Sequence, residues 1–205
     1  MIEILDNAIQ LCVTTGCAIW ACTIALRRKS QSYFLLSGFY GTFALGLLFW
    51  LAYLTIMTYT PKIFYVSDLS WFASFLFLFL LTVTLATPQE RNFKPIAPWF
   101  VAAIPAVITI CFLFLGDVFG TLLWCPLLTV CTYHATKGFL YARKQSDESH
   151  RKQWVYLAIL FVVFSEFTLW TLSYIFKSSS IENPYFWCDF VLSTALFLIM
   201  PAMKK

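Results

Sequence analysis

The chain has 205 residues, 60% hydrophobic, 20% aromatic and only 12% charged, with a net charge of +4 and a mean hydropathy of +0.77. A soluble domain carries about 25% charged residues, and 14 basic plus 10 acidic side chains cannot cover a soluble body of this size. That excludes an ordinary cytosolic enzyme, a disordered chain and a nucleic-acid-binding module, and it points to an all-α polytopic membrane protein.

A bilayer core of about 30 Å needs roughly 20 mainly apolar residues per helix. Seven such segments are predicted: 8–26, 35–59, 68–87, 97–115, 118–141, 153–176 and 184–203. Their breaks carry charge or turn signals. Arg27-Arg28-Lys29-Ser30 closes the first, Thr60-Pro61-Lys62 the second, and Pro88-Gln89-Glu90-Arg91-Asn92 follows the third. Gly116-Asp117 reads as a tight turn between the fourth and fifth, and Arg143 to Gln153 is the longest polar loop. Pro184 suits the first turn of the seventh helix, where its missing N–H is an orphan anyway. Pro98, Pro105 and Pro126 mark where the middle helices would bend or break. The expectation is a single seven-helix domain, 1–205, with no soluble domain attached.

With the N-terminus outside, Arg27, Arg28, Lys29, Arg91, Lys94, Lys137, Arg143, Lys144, Arg151, Lys152, Lys204 and Lys205 fall on the cytoplasmic side. Only Lys62 and Lys177 then lie outside, so the positive-inside bias predicts N-out, C-in, in a multi-pass plasma (inner) membrane protein. Glu3, Asp6, Asp68, Asp117 and Glu182 give the outer face an acidic cast. The flank Met1 to Asp6 is acidic where a cleavable signal peptide needs a positive region.

Cys12, Cys17, Cys22, Cys111, Cys125, Cys131 and Cys188 lie in or near spans with no CxxC and no metal-ligand spacing, so no metal or cofactor is expected. They read as small packing residues; a Cys125–Cys188 bridge near the outer leaflet is the one open pairing. Trp99, Trp154 and Tyr141 fit an inner interfacial belt, and Tyr59, Tyr65 and Tyr185 an outer one. Trp20, Trp50, Trp124 and Trp170 are deeper and read first as packing.

The informative residues are ionisable groups inside the bilayer. Glu166 is ~15 Å from the outer end of the sixth helix, near the midplane. A charge there costs about 2.5–3.5 kcal/mol, so it must face the bundle, find partners or take up a proton. Two readings stand: a ligand counter-ion or proton site, and an interhelical hydrogen bond. Asp189 is ~7 Å below the outer end of the seventh helix. Ser67 or Asp68 reads as the N-cap of the third helix, where an acid also complements the dipole. His134, in the inner half, is either a packing residue or a proton partner of Glu166, and Lys137 snorkels inward one turn later. Glu166, Asp189 and Asp68 converge at similar depth with Trp71, Trp170, Tyr174, Tyr185 and Trp187. Acids with aromatic walls suit a cationic or amine-bearing ligand.

An internal repeat is also suggested. Trp50 to Asp68 and Trp170 to Asp189 share a tryptophan–tyrosine helix followed by an acid-bearing one, and Leu76-Phe77-Leu78 returns as Leu196-Phe197-Leu198. An offset of about 120 residues maps helices 1–3 onto 5–7 with the fourth as linker, a parallel 3+1+3 arrangement of the kind found in transporters. It makes Asp68 and Asp189 pseudo-symmetric partners.

The stretch Leu45 to Leu81, with its tryptophan-bearing helix, short proline loop and Ser67-Asp68-Leu69-Ser70-Trp71 opening the next helix, resembles bacterial multi-helix membrane sensor modules. The chain also resembles small stand-alone seven-helix bacterial membrane proteins, and its 3+1+3 order is similar to seven-helix sugar-efflux carriers, although Pro88-Gln89 falls in a loop rather than in a helix. The sensor resemblance implies a receptor-like bundle preceding an output domain. Since the chain reaches Lys205 without one, the signal would pass to a partner, through Arg143, Lys144, Arg151 and Lys152. The alternatives are a small-solute or proton-coupled transporter with Glu166 as coupling carboxyl, and a structural membrane subunit. Neither HExxH nor GxSxG is present, so an enzyme is not expected. The seventh helix has no lysine before Lys204 for a retinal Schiff base.

Overall fold

The computed structural model describes residues 2–57, 65–114, 118–145, 148–176 and 182–204. They form α1 (Ile2–Arg28), α2 (Gln31–Met57), α3 (Tyr65–Leu85), a short α4 (Pro88–Asn92), α5 (Ala97–Phe114), α6 (Val118–Arg143), α7 (Glu148–Ile175) and α8 (Pro184–Lys204). Six of these, α1, α2, α3, α5, α7 and α8, are long and apolar enough to cross a membrane. The protein is therefore a polytopic helical membrane protein. α6 has the length, 26 residues, but carries Thr132, Tyr133, His134, Thr136 and Lys137 in one stretch.

Several helices start earlier than the hydropathy boundaries, while α3 stops at Leu85, short of the predicted 87. α1 begins at Ile2 rather than 8, α2 at Gln31 rather than 35, and α7 at Glu148 rather than 153. Hydropathy registers hydrocarbon, whereas the backbone ladder continues into polar sequence at no extra desolvation cost. Ser67 and Asp68 are not a cap: α3 already includes Tyr65, and Ser67 Oγ donates to Gly46 O at 3.1 Å. Pro105 and Pro126 sit inside continuous helices, as does Pro201. Pro184 does open α8, with Asn183 Oδ1 accepting from the Tyr185 N–H at 3.0 Å. The Gly116-Asp117 turn, Tyr59, Lys62 and Lys177 lie outside the described residues.

The α1–α2 hairpin closes in two residues. Lys29 takes a left-handed conformation at φ 49°, and Ser30 N–H reaches back to Ala25 O at 3.2 Å. That is a Schellman closure with lysine where glycine is usual. Arg27 and Arg28 in the last turn favour the negative end of the helix dipole.

The helices pack as a closed ring in the order α1, α2, α3, α6, α7, α8 and back to α1, while α5 lies outside against α6. Phe39, Tyr40, Phe43, Phe75, Leu128 and Leu192 fill the middle, all essentially buried. Tyr40 OH donates to Leu196 O at 2.6 Å and Tyr33 OH to Met203 O at 3.0 Å, which ties α2 to α8.

The segment Pro88–Asn92, read from sequence as a break, is a latch under the ring. Thr87 caps α4, its side chain accepting from Glu90 N–H at 3.2 Å, and Pro88 supplies the first turn. This is the Thr-x-x-Glu sequence of a capping box, but the Glu90 carboxylate turns away from the cap. It accepts from Tyr156 OH on α7 at 2.8 Å, and both residues are buried. Tyr156 reaches it past Gly138, where an added Cβ would lie 2.4 Å from the phenol ring. Lys137 Nζ donates to Arg91 O at 2.9 Å and Lys152 Nζ to Leu85 O at 3.0 Å. Burial pushes the Glu90 carboxyl above its ordinary value, against the opposing pull of the Tyr156 hydrogen bond and the Lys152 charge.

Candidate functional site

A cavity of about 120 Å³ opens between α3, α6, α7 and α8. Asp68 and Trp71 enter from α3, Trp124 and Leu128 from α6, Glu166, Trp170 and Ser173 from α7, and Tyr185 from α8. Asp68 and Trp71 are three apart, Trp124 and Leu128 four, and Glu166, Trp170 and Ser173 four and three, the spacings that share one helical face. The walls are three indoles and a phenol; the polar floor is a pair of carboxyls.

The indoles are held by a second layer. Trp71 packs on Phe43 and Trp50 at centroid separations of 6.4 and 6.1 Å. It fits only because residue 46 is glycine: a Cβ there would lie 2.7 Å from Trp71 Nε1. Trp124 takes edge contacts from Phe72 and Phe75, at 6.2 and 5.4 Å. Trp170 packs on Phe112 of α5 at 4.8 Å. The peripheral helix α5 thus buttresses a cavity wall without lining the cavity.

Two cavity-lining groups lack hydrogen bonds. Glu166 Oε2, an acceptor, and Trp71 Nε1, a donor, are both shielded from solvent and unpartnered. An unsatisfied buried polar group costs about 1–3 kcal/mol, more if charged. Such groups in a native site call for an explanation. A ligand that accepts from the indole and pairs with the carboxyl supplies one.

Of the residues singled out in the sequence, Glu166, Asp68, Trp71 and Trp170 come together in this cavity, joined by Tyr185, which had been placed in the outer belt. Tyr174 stands behind Trp170, stacked on Phe112 at 4.6 Å. Trp187 is 59% exposed and packs on Phe190, on the outer surface of the bundle. His134 packs edge-on against Phe79 and Tyr133, and does not line the cavity with Glu166. Asp189 lies in the α1–α8 seam, 2% exposed, where Gln10 Nε2 donates to its Oδ1 at 2.7 Å.

The sequence reading missed Asp6 and Gln10. The buried residues of α1 are Asp6, Asn7, Gln10, Thr14, Cys17, Ala21 and Ala25, a polar-then-small stripe at helical spacing. The signal was present, but starting the first span at residue 8 left its outermost part in a flank. Trp124 had been read as packing, and it is both packing and wall.

Cys125 and Cys188 are free thiols. Among the described residues, no group of three or more His, Cys, Asp or Glu could hold a metal ion. At the inner end, Arg143, Lys144 and Arg151 are exposed, with Lys144 Nζ over the Phe93 ring at 5.0 Å, whereas Lys152 is engaged with α3. No protein-family model, curated protein or solved structure matches the chain.

Proposed function

We propose that the chain is a receptor-like membrane protein whose Glu166 cavity binds a small cationic ligand from the outer side. The observation that carries this is the unpartnered Glu166 Oε2 inside a cavity walled by Trp71, Trp124 and Trp170. Indole faces attract ammonium groups, most strongly when desolvated, and the carboxylate supplies the counter-charge. A cavity of about 120 Å³ admits roughly five non-hydrogen atoms, by comparison with the cavity of about 150 Å³ that holds benzene. The free Trp71 N–H adds an acceptor to the ligand's requirements, so short amino alcohols fit the site better than bare alkylammonium ions.

The same reading has the bundle crossing the bilayer seven times, N-out and C-in, in the plasma membrane. Two observations support α6 as the seventh crossing: it stands inside the ring between α3 and α7, and its Lys137 reaches α4 rather than lipid. The basic rim at Arg143, Lys144 and Arg151 would then face the cytoplasm and a signalling partner.

A carrier is the second reading, favoured by one observation. The ring consists of α1–α3 and α6–α8, and exchanging the two groups turns the α3–α6 contact into the α8–α1 contact. That is the relation a 3+1+3 repeat requires, with α5 as linker and Asp68 and Asp189 as counterparts.

Titration of the purified protein with ethanolamine, followed by tryptophan fluorescence and thermal unfolding, tests the reading. Saturation should quench fluorescence and stabilise by about 2.7 kcal/mol at a hundredfold excess over Kd, and Glu166→Gln should abolish both. Equal binding of the uncharged isostere propan-1-ol would sink the cationic site. Ethanolamine uptake into proteoliposomes, lost in Glu166→Gln, would replace the receptor by the carrier.

A further inference from the structure

Behind the Tyr185 wall of the cavity a second acidic group is buried. Asp6 on α1 and Asp189 on α8 are 1% and 2% exposed, and Gln10, one turn after Asp6 on the same buried face of α1, reaches Asp189, so the two acids adjoin in the α1–α8 seam. Each also holds an amide donor: the Asn7 N–H reaches Asp6 Oδ1 at 2.7 Å, and Gln10 Nε2 reaches Asp189 Oδ1 at 2.7 Å. Asp6 Oδ2 faces this pair with no donor at all. Among the described residues, the other titratable groups acting on the pair are Glu3 on α1, Glu166 on α7, and Tyr185 and Cys188 on α8. From α2, Trp50 Nε1 donates to Glu3 Oε1 at 3.3 Å.

Two adjoining carboxylates hold one proton between them, as an O–H···O⁻ hydrogen bond, unless a positive charge close by offsets their repulsion. The orphaned Asp6 Oδ2 is where that proton belongs. Tyr185 borders both places: it lines the cavity and stands one helical turn before Asp189 on the same face of α8. A positive charge entering the cavity therefore acts on the pair at close range in a low-dielectric interior.

We propose that the Asp6–Asp189 pair is a proton site, and that a cation filling the Glu166 cavity displaces its proton. The inference rests on the cationic reading of the cavity. One ammonium enters and one proton leaves to water on the outer side, so the charge within the bundle is unchanged. The two carboxylates then repel across the α1–α8 seam, which closes the ring, so exchange at the site loads that seam.

The test measures proton release. Ethanolamine hydrochloride is added to the purified full chain in weakly buffered detergent containing a pH-indicator dye, with bound ethanolamine counted by equilibrium dialysis of the radiolabelled compound. One proton should be released per ethanolamine bound, and affinity should rise with pH. Asp6→Asn keeps a polar group beside Asp189 but has no proton to lose; it should bind ethanolamine with no release and a flat pH dependence. Asp189→Asn should behave alike, and serves if the first variant does not fold. Ethanolamine binding without release in the wild type overturns the exchange alone, and full release from either variant overturns the assignment of the proton to this pair. Absence of ethanolamine binding at every pH overturns the cavity reading and this one with it.

Discussion

Two glutamates, buried Glu90 and half-buried Glu166, carry carboxyls inside this bundle, and they are treated differently. Glu90, under the ring, has its carboxylate satisfied by Tyr156 OH, its N–H by Thr87, and two lysines beside it. Glu166, in the cavity, has one oxygen with no partner, although three indoles have been packed around it. The first is what a polar group looks like when it holds a structure together. On the proposed reading, the second is a polar group whose partner comes from outside.

The largest effect should separate the two residues by readout. Glu166→Gln is expected to weaken ammonium binding by about 2–5 kcal/mol, the range for truncating one side of a buried charged contact. Its thermal midpoint without ligand should stay level or rise, because an unsatisfied group has been neutralised. A midpoint that falls sharply would make Glu166 a structural residue like Glu90, and the comparison would collapse.

Glu90→Ala should do the reverse. It orphans the buried Tyr156 hydroxyl at a cost of about 1–3 kcal/mol, read as a lowered unfolding midpoint in detergent, while ammonium affinity stays at the wild-type value. Tyr156→Phe should lose less than Glu90→Ala, since the carboxyl keeps its lysines.

A smaller, pH-dependent effect follows at the same latch. The folded state holds the Glu90 proton more tightly than the unfolded chain does, because burial raises that carboxyl above its ordinary 4.5. Its contribution is therefore complete below pH 4.5 and is lost as pH rises through the elevated folded value. Subtracting the midpoint profile of Glu90→Gln from that of the wild type should leave this declining step. A difference that rises with pH across the same interval would reverse the assignment.

How much of this could be read in the sequence depends on what kind of signal each part leaves. Long apolar helices announce themselves by composition: each of the seven predicted segments coincides with a helix, six of these are long and apolar enough to cross a membrane, and it is the ends that were misplaced. Glu166 was visible because an acid near the middle of an apolar segment is expensive, and Asp68 because it stands at the start of a predicted helix. The α4 latch was not visible: Thr87-Pro88-Gln89-Glu90 has the sequence of a cap, but nothing local says that Glu90 will prefer a tyrosine 66 residues away. Nor does a sequence place α5 outside the ring, since α5 and α6 both read as apolar spans, and only the packing decides which is enclosed. Asp6 was hidden for the opposite reason. It stands in a segment that resembles a flank until the helix is extended back to Ile2 and its polar stripe becomes a buried face.

The smallest predicted effect serves as a control remote from both glutamates. Lys29 occupies a left-handed position that disfavours a side-chain-bearing residue by roughly 1–2 kcal/mol, and the closure it makes, Ser30 N–H to Ala25 O, depends only on backbone. Lys29→Gly should therefore raise the unfolding midpoint by an amount equivalent to about 1 kcal/mol, whereas Lys29→Ala, which keeps the Cβ, should not. Part of the gain is offset by the loss of a cation near the negative end of α1, so the increment should grow in high salt, where that attraction is screened. Neither substitution touches the cavity or the latch, and ammonium affinity and the Glu90 pH step should both stay in place. If Lys29→Gly altered either, the two glutamates would be coupled through the α1–α2 hairpin, and could not be compared as independent sites.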